Sequence, residues 1–294
     1  MKTKNLLTAV VIILAANFVL QLYDIISVMF RGFFDIVFLI RYIPLFLGIA
    51  GLIVFVASKF KNSNLLTFYM GICVFIYPFS MSLFFKYLLK GPDLYGSGIN
   101  MDILQYARVG FGFIFFLACC AGLWILSKKR TAKLSYNVIG NESFPEFKPA
   151  SPGKRFLNRL IDTITYVLIA LLFINNGLFG KGIEEMDSSL EFAIVEIPFL
   201  IIYYLFFESL FHGTPGKFIT NSIVVNHSGE RPAFTQILGR TFSRLIPFDA
   251  FTFFGDPSRG WHDSIPNTYV VEAIDADQQK ETDVLLDVET AQQL

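Results

Sequence analysis

The sequence predicts an all-α polytopic membrane protein, with about six transmembrane helices, an interfacial amphipathic helix and a small cytoplasmic β-ribbon. Three observations predict it. Apolar residues make up 54% of the chain and charged residues only 16%, against roughly 25% charged in a soluble domain, and the mean hydropathy is +0.55. The apolar residues lie in long runs rather than scattered. Lysine and arginine fall preferentially between alternate runs.

Six runs are long enough for a hydrocarbon core that needs about 20 residues per helix. They cover residues 6–30, 36–57, 65–89, 103–126, 160–179 and 192–211. Polar or charged residues close each one. Pro44, Pro78 and Pro198 fall inside, where neighbouring helices re-satisfy the freed backbone. The first run, behind Lys2 and Lys4, is too long for the apolar core of a signal peptide and reads as a full span. With the N-terminus in the cytoplasm, Lys59, Lys61, Lys128, Lys129, Arg130, Lys133, Lys154, Arg155, Arg159 and the basic residues after the sixth run all fall inside. Arg31, Arg41, Lys86, Lys90, Arg108 and Lys181 fall outside. The split is roughly three to one, as the positive-inside rule expects. The acidic loop 181–191 reads as external. This places the protein in the plasma (inner) membrane, with both termini cytoplasmic.

The organisation that follows is a four-helix transmembrane domain (1–126), a Pro-containing cytoplasmic linker (127–150), a second membrane module (151–274) and a disordered acidic tail (275–294). No internal repeat is visible, so an inverted-repeat transporter has no support. Lysine plus arginine equal aspartate plus glutamate at 24 each, and nothing points to nucleic acid. After the sixth run, Phe234, Ile237, Leu238, Phe242, Leu245 and Ile246 recur at helical spacing, with Arg240 and Arg244 away from them. This is an amphipathic helix. It lies either in the membrane interface, with Arg240 and Arg244 binding anionic lipid, or on the core of its own module. Runs 223–225 and 269–271 are β-branched or aromatic and read as two paired strands.

Candidate chemistry is confined to the second module. Arg155, Arg159 and Asp162 share a helix face at the inner end of the fifth run, and Glu208 and His212 share one at the inner end of the sixth. Ionisable groups at membrane depth are functional candidates with a partner. Asp162 is expected to pair with Arg155 or Arg159, as a structural ion-pair network or as a transport or ligand site. In the first half, Asp24 and Arg41 stand near adjacent outer helix ends and could pair. The turn from His212 to Lys217 is not a P-loop, because its glycines are too close and Phe218 stands where a hydroxyl would hold magnesium. The histidines His212, His227 and His262 lack metal spacing. Cys73, Cys119 and Cys120 read as small buried hydrophobes. No cofactor, metal or enzymatic nucleophile is expected.

Several pieces of the second module, in order, resemble the RDD family, named for one arginine and two aspartates. They are RFLNRLID, from Arg155 to Asp162; the helix end YYLFFESLFHGTPGKFITNSIVV; the arginine-bearing segment 240–246; and RGWHDSIPNTYVV, with Asp263 and Thr268. The resemblance covers residues 151–272 and implies that Arg155, Asp162 and Asp263 form the naming triad. It departs from the common family pattern in one place, since the apolar stretch 248–254 is too short for a third crossing. The resemblance implies transport of a small solute or exchange of a cation for protons. Asp162 would then be the cation or proton carboxylate, Arg155 its electrostatic partner, and Asp263 a cytoplasmic gate or second partner; Glu208, at the inner end of the sixth run, is a further transport or ion-pair candidate. The rival reading is a non-catalytic scaffold or accessory subunit whose cytoplasmic module binds a protein partner or lipid.

Overall fold

A computed structural model of the chain describes residues 2–30, 36–90, 103–139, 142–175, 189–249, 252 and 259–279. The external loop 181–191 and the stretch 248–254 fall largely outside these residues, and 280–294 wholly so. The chain divides into two compact units, Met1–Ile125 with Leu171–Asp187 and Leu126–Ala170 with Ser188–Leu294.

The first unit contains α1 (Lys2–Phe30), α2 (Ile36–Ala57), α3 (Asn64–Lys90) and most of α4 (Ile103–Lys129). Leu7, Val10, Leu14 and Phe18 of α1 are buried at three- and four-residue spacing, while Ile12, Val19, Tyr23 and Ile26 on the same helix are exposed. A soluble helix would carry polar residues there. Close packing depends on small residues, as it does between helices in lipid. A Cβ on Gly51 of α2 would lie 2.9 Å from the backbone nitrogen of Leu66 on α3. Lys59 and Phe60 adopt φ of 53° and 68°, which turns the chain between these helices. Asp24 pairs with Arg108 at 3.0 Å, on exposed side chains; the side chain of Arg41, its expected partner, lies outside the described residues. Among the described residues, Thr3–Ser27 and Ala107–Lys129 are long and apolar enough to cross a bilayer; Tyr42–Ala57 and Asn64–Pro78 are shorter apolar helices.

The second unit contains regular structure in the stretch 127–150, read from the sequence as a linker. That stretch holds β1 (Arg130–Ala132), β2 (Leu134–Ile139) and β3 (Glu142–Phe147). β2 and β3 form an antiparallel hairpin, with Leu134 opposite Phe147. The unit continues with α5 (Pro152–Asn175), α6 (Ser189–Phe211), α7 (Pro215–Ile219), β4 (Ser222–Asn226), α8 (Phe234–Ser243), α9 (Trp261–Ser264) and β5 (Thr268–Asp275). β4 pairs antiparallel with β5, Ile223 opposite Val271 and Val225 opposite Tyr269. The expected two-strand ribbon has a third member, because β1 pairs with the other edge of β5. Ala132, Ile223, Val225, Val271 and Ala273 form its apolar core, against which Phe147 and Tyr269 pack. The start of the segment read as a disordered tail is ordered. A helical turn follows β5, and the Gln279 side chain accepts the Leu134 N–H at 3.4 Å.

Two helices of this unit, α5 and α8, are turned largely inside out relative to a soluble protein, whereas α6 buries Phe199, Tyr203, Tyr204, Phe207 and Phe211 around Glu208. α5 buries Arg155, Asn158, Asp162 and Thr165 and exposes Phe156, Leu157, Leu160, Ile164 and Leu168. α8 buries Arg240, Thr241 and Ser243, with Arg244 at its C-cap, and exposes Phe234 and Phe242; Leu245, Ile246 and Phe248 just beyond it are exposed too. Such an arrangement is stable where the surrounding solvent is itself apolar, since the charges then seek each other in the interior.

Candidate functional site

The inward polar faces of α5, α6 and α8 meet α7, α9 and β5 in one buried ionic cluster. Asp162, one turn into the apolar part of α5, reaches the start of α7. Its Oδ1 accepts from the Tyr203 hydroxyl at 3.1 Å and from the Gly216 N–H at 2.8 Å, and its Oδ2 accepts from the Thr214 hydroxyl at 2.5 Å. A helix leaves its first N–H groups without internal partners, and here a carboxylate from a neighbouring helix satisfies one. Gly216 makes the approach possible, because a Cβ there would lie 2.5 Å from the Asn158 carbonyl oxygen and 2.9 Å from Asp162 Oδ1.

Glu208, near the end of α6, is the second node. It accepts from Lys217 Nζ at 3.2 Å, Arg240 Nε at 3.1 Å and Arg244 Nη2 at 2.8 Å. Arg240 and Arg244 are four residues apart, so both project from one side of α8. The Arg244 guanidinium lies 3.9 Å over the Tyr204 ring, where the ring face attracts a cation. Lys217 also donates to the Thr214 hydroxyl at 3.3 Å, which links this node to that of Asp162.

Asp263, on α9, is the third node. Arg155 Nη1 donates to it at 2.6 Å, and Arg240 Nη1 donates to its other oxygen. Arg155 also donates to the carbonyl oxygens of Ala150 at 3.2 Å and Val270 at 3.1 Å, so one guanidinium holds the head of α5 to β5. Arg240 bridges Glu208 and Asp263 and reaches the Thr268 hydroxyl at 2.5 Å, with 0% of its side chain exposed. Behind them, Asp249 accepts from the backbone and ring nitrogens of His262 at 2.9 and 2.7 Å.

These contacts decide the ionisation of the cytoplasmic members. Burial pushes the Asp263 carboxyl up, but Arg240 and Arg155 together hold it well below the usual carboxylate range. Burial pushes His262 down, and Asp263 and Asp249 only partly offset this, so the ring is neutral near pH 7. Burial also lowers Lys217 against the pull of Glu208 and Asp162.

The geometry rearranges the residues singled out by sequence. Arg155 and Asp263 come together, but Asp162 does not pair with Arg155 or Arg159; its partners are hydroxyls and a backbone N–H. Arg240 and Arg244 are buried and committed to Glu208 and Asp263, so their guanidiniums are not presented to lipid head groups. Of the two alternatives for α8, the charged face packs on the module's core and the apolar face is outward. His212 takes φ of 57°, which ends α6, and it is not a partner of Glu208 in the described contacts. Lys217, Asp249, Thr214 and Tyr203 are site members that sequence reasoning missed. Lys217 had a signal, a lysine directly after the Pro215-Gly216 turn that follows the helix carrying Glu208. Among the described residues, no group of three or more His, Cys, Asp or Glu is placed to hold a metal.

Helices with charge inside and hydrocarbon outside define the class as an integral membrane protein. The particular assignment concerns the second half of the chain, where residues 149–267 match the model of the RDD family, as the resemblance anticipated. No curated protein and no solved structure matches the chain.

Proposed function

We propose that the protein is a multi-pass membrane protein with six spans and both termini on the cytoplasmic face of the plasma (inner) membrane. Its RDD module acts as an ion-pair-locked scaffold or accessory subunit rather than as a cation/proton exchanger or an enzyme. The observation that carries this reading is the state of Asp162. An exchanging carboxylate must be able to release its partners and take up an ion, whereas both oxygens of Asp162 are engaged by three donors from α6 and α7. Glu208 and Asp263 are likewise held by several cations each, and the cavity beside them measures about 30 Å³, room for one or two waters. Bilayer lipid covers the exposed apolar faces of α5, α6 and α8, and the cytoplasmic side of the module is left for a protein partner.

The test is ion flux in proteoliposomes carrying the purified chain, with and without a pH gradient, for Na⁺ and K⁺. The expected result is no exchange above that of protein-free liposomes. Gradient-driven exchange that disappears in Asp162→Asn would overturn the scaffold reading in favour of transport.

A further inference from the structure

Among the described residues the ionic cluster does not balance. Arg155, Arg159, Lys217, Arg240 and Arg244 supply five cationic groups, while Asp162, Glu208, Asp249 and Asp263 supply four carboxylates. His262 adds no charge when neutral. The cation without a direct partner is Arg159, which Asp249 and Asp162 attract only at longer range. Among the described residues it has no carboxylate within ion-pair distance, and its Nη1 is buried without a hydrogen-bond partner. Arg244 Nη1 is also buried and unpartnered, on a side chain only 3% exposed. Arg159 and Arg244 line the same cavity of about 30 Å³, together with Lys217 and the Asn158 side chain. Asp162 lines it too, but both of its oxygens are already engaged elsewhere. A guanidinium nitrogen taken out of water is costly to leave without an acceptor, and neither Arg159 Nη1 nor Arg244 Nη1 has one among the described residues.

We propose that this cavity is a binding site for one small monovalent anion, of halide type, held by Arg159 and Arg244. An ion little larger than water fits the space, whereas a tetrahedral oxyanion does not. The Arg244 guanidinium is pre-set for it, with one edge on Glu208 and its face on Tyr204, so that Nη1 is left over. The bound anion neutralises the cluster and holds α5 to α8 at the point where no carboxylate does so.

The experiment uses the full chain in detergent at constant ionic strength, with gluconate replaced by chloride, bromide or sulfate. Melting temperature and the ³⁵Cl NMR line width are the readouts. Chloride and bromide are expected to raise the melting temperature saturably, sulfate is not, and bromide should reverse the ³⁵Cl broadening by competition. Arg159→Gln removes one charged hydrogen bond to the ion, so its halide affinity should fall by about tenfold or more, while Arg159→Lys keeps part of it. If Arg159→Gln fails to fold, the wild-type line width and its bromide competition decide alone. No halide-dependent broadening, or an equal response to every anion, would overturn the proposal and leave the cavity to water. Flux results do not bear on this outcome, because a site can bind an anion whether or not the protein transports anything.

Discussion

Arg155 and Asp263 lie 108 residues apart in sequence and make a 2.6 Å hydrogen-bonded ion pair in the interior of the second module. The contact fastens the first turn of α5 to the short helix before β5. Removing one partner strands the other in a place with little water. Arg155→Met should therefore destabilise the protein by about 3–5 kcal/mol, read from denaturant or thermal melts in detergent. Arg155→Met with Asp263→Asn should cost less than the two single changes added together, with a coupling of at least ~1 kcal/mol. Additive effects would mean the pair is not formed.

Asp162 is held by hydroxyls and an amide rather than by a cation, and its substitution is correspondingly milder. Asp162→Asn keeps the shape and one acceptor oxygen but loses the charge. We expect a loss of about 2 kcal/mol, the scale of a hydrogen bond to a charged group, with Thr214→Val giving a smaller loss in the same assay. A variant as stable as the parent would remove Asp162 from the structural role assigned to it.

Acid should weaken the module in two stages. The folded pKa of His262 lies below its unfolded value of about 6.5, so the unfolded chain binds a proton first and stability declines as pH falls below about 6.5. Asp263 is also depressed. Its contribution is intact above the unfolded carboxylate pKa of about 3.9 and is lost as pH drops further. His262→Asn should flatten the upper stage between pH 7 and 5 while leaving the lower one. Melting temperatures across pH would check both stages.

Much of this fold is legible in the sequence because a hydrocarbon core imposes a length. Apolar runs at 36–57 and 192–211 end where α2 and α6 end, and the helix face shared by Arg155, Arg159 and Asp162 already extends the fifth run back into the polar start of α5. The paired segments 223–225 and 269–271 were visible from their β-branched and aromatic residues. β1 was not, since three residues after a basic helix end carry no alternation to read. The site was legible in its residues but not in its pairings. An apolar stripe on a helix is ordinarily taken to face protein or a membrane surface, with arginine in water. In α8 the arginines go inward, because Glu208 and Asp263 wait there and the outside is apolar. Sequence spacing alone cannot tell which side of a helix faces the wetter phase.

The six-span orientation is tested by cysteine accessibility. In a background lacking Cys73, Cys119 and Cys120, Ser188→Cys should react with a membrane-impermeant maleimide from outside intact cells, and Ser228→Cys should react only after permeabilisation. The reverse pattern would require a different number of crossings.

Trp261 reports on the apolar face. It is 43% exposed and lies on α9, which packs with α8. With Trp124→Phe it becomes the remaining tryptophan, since the chain has two. Brominated lipid should quench its emission in proteoliposomes, with stronger quenching when bromine is near the head group than when it is deep in the acyl chain. No quenching by either lipid would mean that this face is covered by protein.

The order of the three-stranded sheet, β1-β5-β4, gives its central position to the strand that comes last along the described chain. A ribosome therefore delivers both edges of the sheet before the strand that joins them, with Arg130 separated from its register partner Asp275 by nearly half the protein. The same delay applies to charge. Arg155 is synthesised well before Asp263, and Glu208 before Arg240. Until residues 240–263 emerge, the nascent module carries Arg155 and Glu208 without these ion-pair partners. The last ions of the cluster are thus in place before the sheet can close, because Asp263 on α9 precedes β5 in the chain.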